Sequence, residues 1–247
     1  MRNPVNVIPP AARPRVVLRY GNANELLVSG LLDNGGELAQ HAAVIDAPYG
    51  QGHVVLFSNN PFWRAETKGS YFLVFNAVSY THLDVYKRQR NPQTIIQGLP
   101  MFGNPLPWQT TELTPNLGKL DETSDMRPGL GWTGLARLQE FVHDGGLLIT
   151  AGDTANFAVT FGFATGVGMA PAQRLKVTGS ALRSKMVDAA SPIVYGYADN
   201  LAIFASNPPV FSLSNMAGGG GRRRNAAEEH QRPTGRGTAD DLSLIHI

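Results

Sequence analysis

The chain has 247 residues, 43% of them hydrophobic and 16% charged, with 27 glycines, 17 prolines and no cysteine; this is enough apolar material for an ordinary core and excludes a disordered or collagen-like chain and all thiol chemistry. The formal charge of +2 is unevenly spread, since residues 91–215 carry seven basic and nine acidic groups, so no nucleic-acid partner is expected. The basic cluster Arg222 to Arg224 follows four glycines with no aromatic residue interleaved and reads as a solvated linker.

In chain order, the prolines and arginines of residues 1–20 interrupt any apolar stretch of a signal peptide. No run approaches the roughly 18 apolar residues of a membrane span, so no membrane partner is expected and the compartment is left open. Val16 to Tyr20 is a short strand by its β-branched residues. Ala42 to Asp46 and Val54 to Ser58 form a hairpin around Tyr49-Gly50-Gln51-Gly52. Tyr71 to Ala77 is a buried helix, preceded by the polar segment Glu66 to Ser70.

Ser79 to Gln89 changes character abruptly and contains no glycine or proline. It resembles the translation of a common sequencing-adapter sequence, as do the last residues, Leu242 to Ile247, and both are set aside from functional reasoning. From Pro128 onward Leu135, Leu138, Phe141 and Val142 fall on one helical face, and Asp144-Gly145-Gly146 ends that helix. Leu147 to Thr150 is a buried strand, and a sharp turn at Ala151-Gly152 leads into a helix over about Thr154 to Phe161, with Asp153 placed to cap it. Helix, strand, turn and helix in this order make the unit of a parallel α/β sheet. Arg174 to Val177 and Leu201 to Ala205 read as strands separated by a helical or irregular segment around Ser180 to Ala190.

Gly131-Trp132-Thr133-Gly134 through Gly145-Gly146-Leu147-Leu148-Ile149-Thr150, then Ser191 to Tyr197, together with Gly50 to Phe57 and Lys68 to Phe72, resemble the class I glutamine amidotransferase-like domain that follows the catalytic domain in a bacterial branch of the zinc carboxypeptidase family. The resemblance covers most of 14–78 and 91–215, in the reverse of the family's order. It implies two pieces of one gene in permuted order, with 79–90 as the join and 216–247 as a flexible tail. The fold class it implies is α/β: one domain with a mostly parallel, flavodoxin-like sheet, flanking helices and a β-hairpin.

Amidotransferases of that fold carry a cysteine at the strand-to-helix elbow and a His-Pro-Glu after a later strand. The matching positions here read Thr150-Ala151-Gly152-Asp153 and Asn60-Pro61-Phe62, so thiol, imidazole and carboxylate are all replaced. Gly152, Asp153 and Asn60 are the candidates for a degenerate pocket, with no catalytic residue expected. Asp153 is a helix cap, a ligand contact or a nucleophile; His53 and His143 read as structural. None of the six histidines has a glutamate three residues later, so the zinc carboxypeptidase ligand pair is missing, and zinc is expected only in a catalytic domain absent from this chain. Neither a Gly-x-Ser-x-Gly elbow nor a phosphate loop at Gly162 to Gly168 is formed.

The resemblance implies a non-catalytic accessory domain whose partner is the missing peptidase domain. Two other readings stand beside it. One is a stand-alone hydrolase or amidotransferase-like enzyme using Asp153 or a serine. The other is a ligand- or carbohydrate-binding module with Trp63, Trp108 and Trp132 as stacking residues.

Overall fold

Apolar runs containing β-branched residues set the longer of the first strands. In the computed structural model, which describes residues 8–62, 70–78, 83–86, 91–119 and 122–214, the first strands are β1 (Arg15–Tyr20), β2 (Leu27–Ser29), β3 (Leu32–Asp33), β4 (Ala42–Tyr49) and β5 (Gly52–Phe57). Helix α1 (Tyr71–Val78) and strand β6 (Leu83–Tyr86) follow, then α2 (Pro92–Gln97), α3 (Gly131–His143), β7 (Leu147–Ala151) and α4 (Ala155–Thr160). Five strands close the described chain: β8 (Val167–Met169), β9 (Lys176–Val177), β10 (Ser180–Met186), β11 (Ala202–Ala205) and β12 (Phe211–Leu213). Trp63, the ends of the join at 79–82 and 87–90, the arginine cluster and the tail at 216–247 lie outside the described residues.

The main sheet runs β11-β10-β1-β4-β5-β7-β6, with β2 beside β10 and β12 joining β4 to β8; β3 and β9 form a separate pair. Only β5 with β7 and β6 with β7 are parallel among the described pairs. The expected mostly parallel, flavodoxin-like α/β sheet is therefore incorrect: the sheet is mostly antiparallel, with few helices. The helix, strand and helix unit α3-β7-α4 does form, but it is grafted onto an antiparallel meander rather than repeated.

The strand behind this correction is β10, which occupies the segment expected to be helical or irregular. Its side chains alternate, with Ser180, Leu182 and Ser184 buried, the period of a strand. Small polar residues at two of the inward positions disguise that period. Each serine is satisfied through the backbone: Ser180 Oγ donates to the Leu31 carbonyl at 2.6 Å, and Ser184 Oγ to the Leu201 carbonyl at 2.7 Å. With its serines paired, β10 bridges β1 (Leu18 opposite Met186) and β11 (Leu182 opposite Ile203), both antiparallel.

The β4-β5 hairpin closes through Gly50, whose φ of +61° gives the turn its left-handed first residue. This turn docks on the end of α3, where Gly145 and Gly146 donate to the carbonyls of Val142 and Phe141 at 3.2 and 2.9 Å and stop the helix. Gln51 N then donates to the His143 carbonyl at 2.7 Å, and His53 N to the Gly146 carbonyl at 3.1 Å. The contact is so close that a Cβ on Gly52 would lie 2.0 Å from the Val142 oxygen.

Both faces of the β5-β7 region are covered, which is why these strands read as continuous apolar runs. Val55, Phe57, Leu147 and Ile149 pack on one side against Leu73, Val74 and Ala77 of α1 and against Ile193 and Val194. Val54, Leu56 and Leu148 pack on the other against Ile95, Leu135, Val142 and Phe157 from α2, α3 and α4. Burying each such side chain contributes roughly 1.5–3 kcal/mol. Strands from 14–78 and 91–215 thus share one sheet. Within the join, the backbone of Leu83–Tyr86 pairs with β7. No helix of the described residues is long and apolar enough to cross a membrane.

Candidate functional site

Because β5 and β7 are parallel, with Phe57 opposite Ala151, residues 58–60 and 152–154 leave the same end of the sheet. The turn at this end depends on Gly152, whose φ is +57°, a conformation that costs other residues roughly 1 kcal/mol or more. Thr154, not Asp153, fastens the following turn. Its Oγ1 accepts from Ala151 N at 3.0 Å and donates to the Ala151 carbonyl at 2.7 Å. The expected capping role of Asp153 is therefore corrected: the helix start has no side-chain cap from it. Asp153 remains exposed, and desolvation against the elbow raises its carboxyl pKa above the ordinary value.

Asn60 reaches the same sheet end, but its side chain is committed locally, Oδ1 accepting from Phe62 N at 3.1 Å. The strand exits therefore bring Gly152, Asp153 and Asn60 to one edge without joining their side chains by any hydrogen bond among the described residues. Two neighbours that the sequence reading passed over are more unusual. Asn59 is 1% exposed with both amide atoms buried and unpartnered, and Thr150 is 1% exposed with its hydroxyl unpartnered. The available signal was positional: Thr150 is the polar residue of the otherwise apolar strand β7, and Asn59 lies in the polar run after Phe57.

Thr150 is among the residues lining a half-open cavity of about 420 Å³ between β7, α2, α3 and α4. Ile95, Leu130, Leu138, Phe141, Leu148 and Phe157 make it apolar, while Thr150, Thr154 and Arg137 supply its polar groups. The tryptophans lie elsewhere on the surface: Trp108 is exposed in the excursion between α2 and α3, and Trp132 is 71% exposed at the start of α3, edge-on to Phe161.

At the other end of β5, Asp46 is buried between Arg15 and His53. Arg15 Nη2 donates to its Oδ2 at 2.5 Å, and His53 Nδ1 lies 2.8 Å from Oδ1. Burial alone would push the Asp46 pKa up; the hydrogen bonds and charges of His53 and Arg15 outweigh it and hold the carboxyl below its ordinary value. The bond to Asp46 in turn raises the His53 pKa against partial burial. The sequence reads His53 as a structural strand residue and does not show its partner, because Asp46 stands seven positions away across the hairpin. The cluster borders an open cleft of about 720 Å³ shared with Arg13, Arg19 and Asp188.

Among the described residues, no group of three or more histidine, aspartate or glutamate side chains is placed to hold a metal ion. No family model matches the chain, and neither the curated proteins nor the solved structures compared with it give a match.

Proposed function

We propose that this chain acts by binding rather than turnover, as a non-catalytic accessory domain of a zinc carboxypeptidase-type protein. The observation that carries the non-catalytic half is Gly152. A nucleophile elbow works by holding a reactive side chain at a strained strand-to-helix turn, and the left-handed residue of this turn has no side chain. Asp153, the next residue, has its carboxyl pKa raised and no base or hydrogen-bond donor beside it among the described residues, so nothing activates it as a nucleophile. Asn60 offers an amide already engaged with the backbone. The assignment to a peptidase partner rests on the segment resemblance alone, since the antiparallel sheet lends it no fold support.

Glutaminase, esterase and peptidase assays on the purified chain test the first half, with no turnover expected from the wild type or from Asp153→Asn. Turnover that Asp153→Asn abolishes would overturn it. Recovering the uninterrupted source gene tests the second half: an upstream His-x-x-Glu domain is the expected result, and its absence would overturn the assignment.

A further inference from the structure

We propose that residues 99–127 form an arm that seats in the groove between β7, α2, α3 and α4 of a second copy of this chain, each copy lending its arm to the other. The arm is ordered yet uncovered. Arg127, only 6% exposed, holds both carboxylate oxygens of Asp125 through Nε and Nη2 and donates from Nη1 to the carbonyls of Phe102 and Gly103 at 3.1 and 3.2 Å. Further out, Trp108 and Thr123 exchange backbone hydrogen bonds at 2.8 and 3.0 Å, and Met126 N donates to the Leu106 carbonyl at 2.8 Å. Every residue from 100 to 116 is nevertheless exposed, with Phe102 at 88%, Leu113 at 94%, and Met101, Leu106 and Trp108 beside them in the chain. An ordered backbone that presents five large apolar side chains to water is the mark of a contact surface. Because Arg127 fixes the carbonyl of Phe102, that ring is presented with little ordering left to lose on contact.

The occupant follows from features of the same chain. The arm leaves from the lip of the groove: Leu99 N donates to the Arg127 carbonyl at 2.7 Å and Leu130 N to the Ile95 carbonyl at 2.8 Å, and Ile95 and Leu130 both line the groove. No described residue of the arm lines it, so each chain carries an uncovered apolar arm beside a half-open apolar groove of about 420 Å³. A two-fold axis at this lip brings each arm over the partner's groove, the isologous arrangement of most homodimers. Charge favours the same pairing. With Asp125 paired to Arg127, the arm keeps three acidic groups, Glu112, Asp121 and Glu122, against one basic group, Lys119, a net of −2. The only charge lining the groove is Arg137, which is exposed on α3 and makes no ion pair among the described residues. Arm against arm sets like charges together, whereas arm against groove sets opposite ones together. The area is sufficient, since five large apolar side chains from each copy cover roughly 1,000 Å² or more, the size a specific interface needs.

Sedimentation velocity of the whole chain over a range of micromolar concentrations tests this. The expected species is a dimer that dissociates on dilution. Phe102→Ser combined with Leu113→Ser, both at exposed positions, should leave the thermal transition unchanged and weaken dimerisation about a hundredfold, as loss of central anchors does. Arg137→Glu, also at an exposed position, should weaken it about tenfold, and added salt should weaken the wild-type dimer more than the residual dimer of this variant. A monomer at every concentration, a dimer unaltered by the Phe102 and Leu113 changes, or a dimer that those changes abolish but Arg137→Glu leaves at wild-type affinity would each overturn the proposal, the last by placing arm on arm. The inference goes beyond the proposed function and is separable from it: turnover by the dimer would overturn the non-catalytic reading and leave the arm exchange standing.

Discussion

At the scale of single residues, two glycines at opposite ends of one strand pair do different things, and substitution separates them. A Cβ at Gly52 would meet the backbone oxygens of Val142 and Gly146 at 2.0 and 2.2 Å, and backbone cannot step aside cheaply. Gly52→Ala should lower stability by about 3 kcal/mol in urea unfolding, the upper range for overpacking. At Gly152 the space is open, with no atom within 4 Å of the added Cβ, and only the φ of +57° is costly. Gly152→Ala should lose about 1–2 kcal/mol, the price of a left-handed alanine. Equal losses at both sites would contradict the tight seating of the hairpin on α3. The Asp46 and His53 pair makes a prediction about pH. The raised His53 value means that its stabilisation is complete below pH 6.5, its ordinary pKa, and is lost as pH rises through the folded-state value. The lowered Asp46 value means that its share is complete above pH 3.8 and is lost as pH falls through the folded-state value. Urea unfolding across pH should therefore show a plateau between these limits with a decline on the alkaline side, and His53→Gln should flatten that decline. Solvent at the half-exposed ring keeps the effect modest, but an identical alkaline slope in the variant would remove the pair as a source of stability.

Among the elements, β10 organises the sheet, because it joins β1 to β11 and also receives β2. Leu182 is its fully buried apolar residue, between the inward serines, and Leu182→Ala should cost about 3 kcal/mol through lost burial and the cavity left behind. Val187, just beyond the strand and half exposed, should tolerate alanine within about 0.5 kcal/mol. Similar losses at the two positions, measured by thermal or urea unfolding, would show that β10 is not central. The same strand shows where sequence stops being informative. Elements with an unbroken chemical signal were legible: the hairpin with glycines at its turn, the periodic face of α3, the apolar run of β7 and the sharp turn at Gly152. β10 was not, because Ser180 and Ser184 are buried only by virtue of carbonyls at Leu31 and Leu201, partners fixed by tertiary structure. The parallel reading followed from that omission, since one helix-strand-helix unit was extended to a sheet whose other strands run antiparallel. The candidate site was legible as a location, the strand-to-helix elbow, but not in its content. That Asn60 bonds Phe62, that Thr154 rather than Asp153 fastens the turn, and that Thr150 is among the residues lining a half-open cavity all depend on χ angles and on helices packed from elsewhere in the chain.

For the molecule as a whole, β1 finds its partners in β4 and β10 and β5 finds its partners in β4 and β7, so residues 14–78 lack half of their sheet when expressed alone. That fragment should show no cooperative unfolding transition, whereas a chain ending at residue 215 should keep the thermal transition of the full chain, because every described strand lies before that point. A cooperative transition in isolated 14–78 would make it an independent domain. The pairing of Leu18 with Met186 and of Phe57 with Ala151 also fixes how this sheet can be reached in time. The β4-β5 hairpin closes over two residues and can form within roughly 1–10 μs. The pairings on either side of it must first bring together remote parts of the chain, whose loop entropy is spent before any contact repays it. Refolding should accordingly run in roughly milliseconds to seconds. During that interval the apolar edges of β1 and β5 stand unpaired, and the yield of native protein should fall as refolding concentration rises.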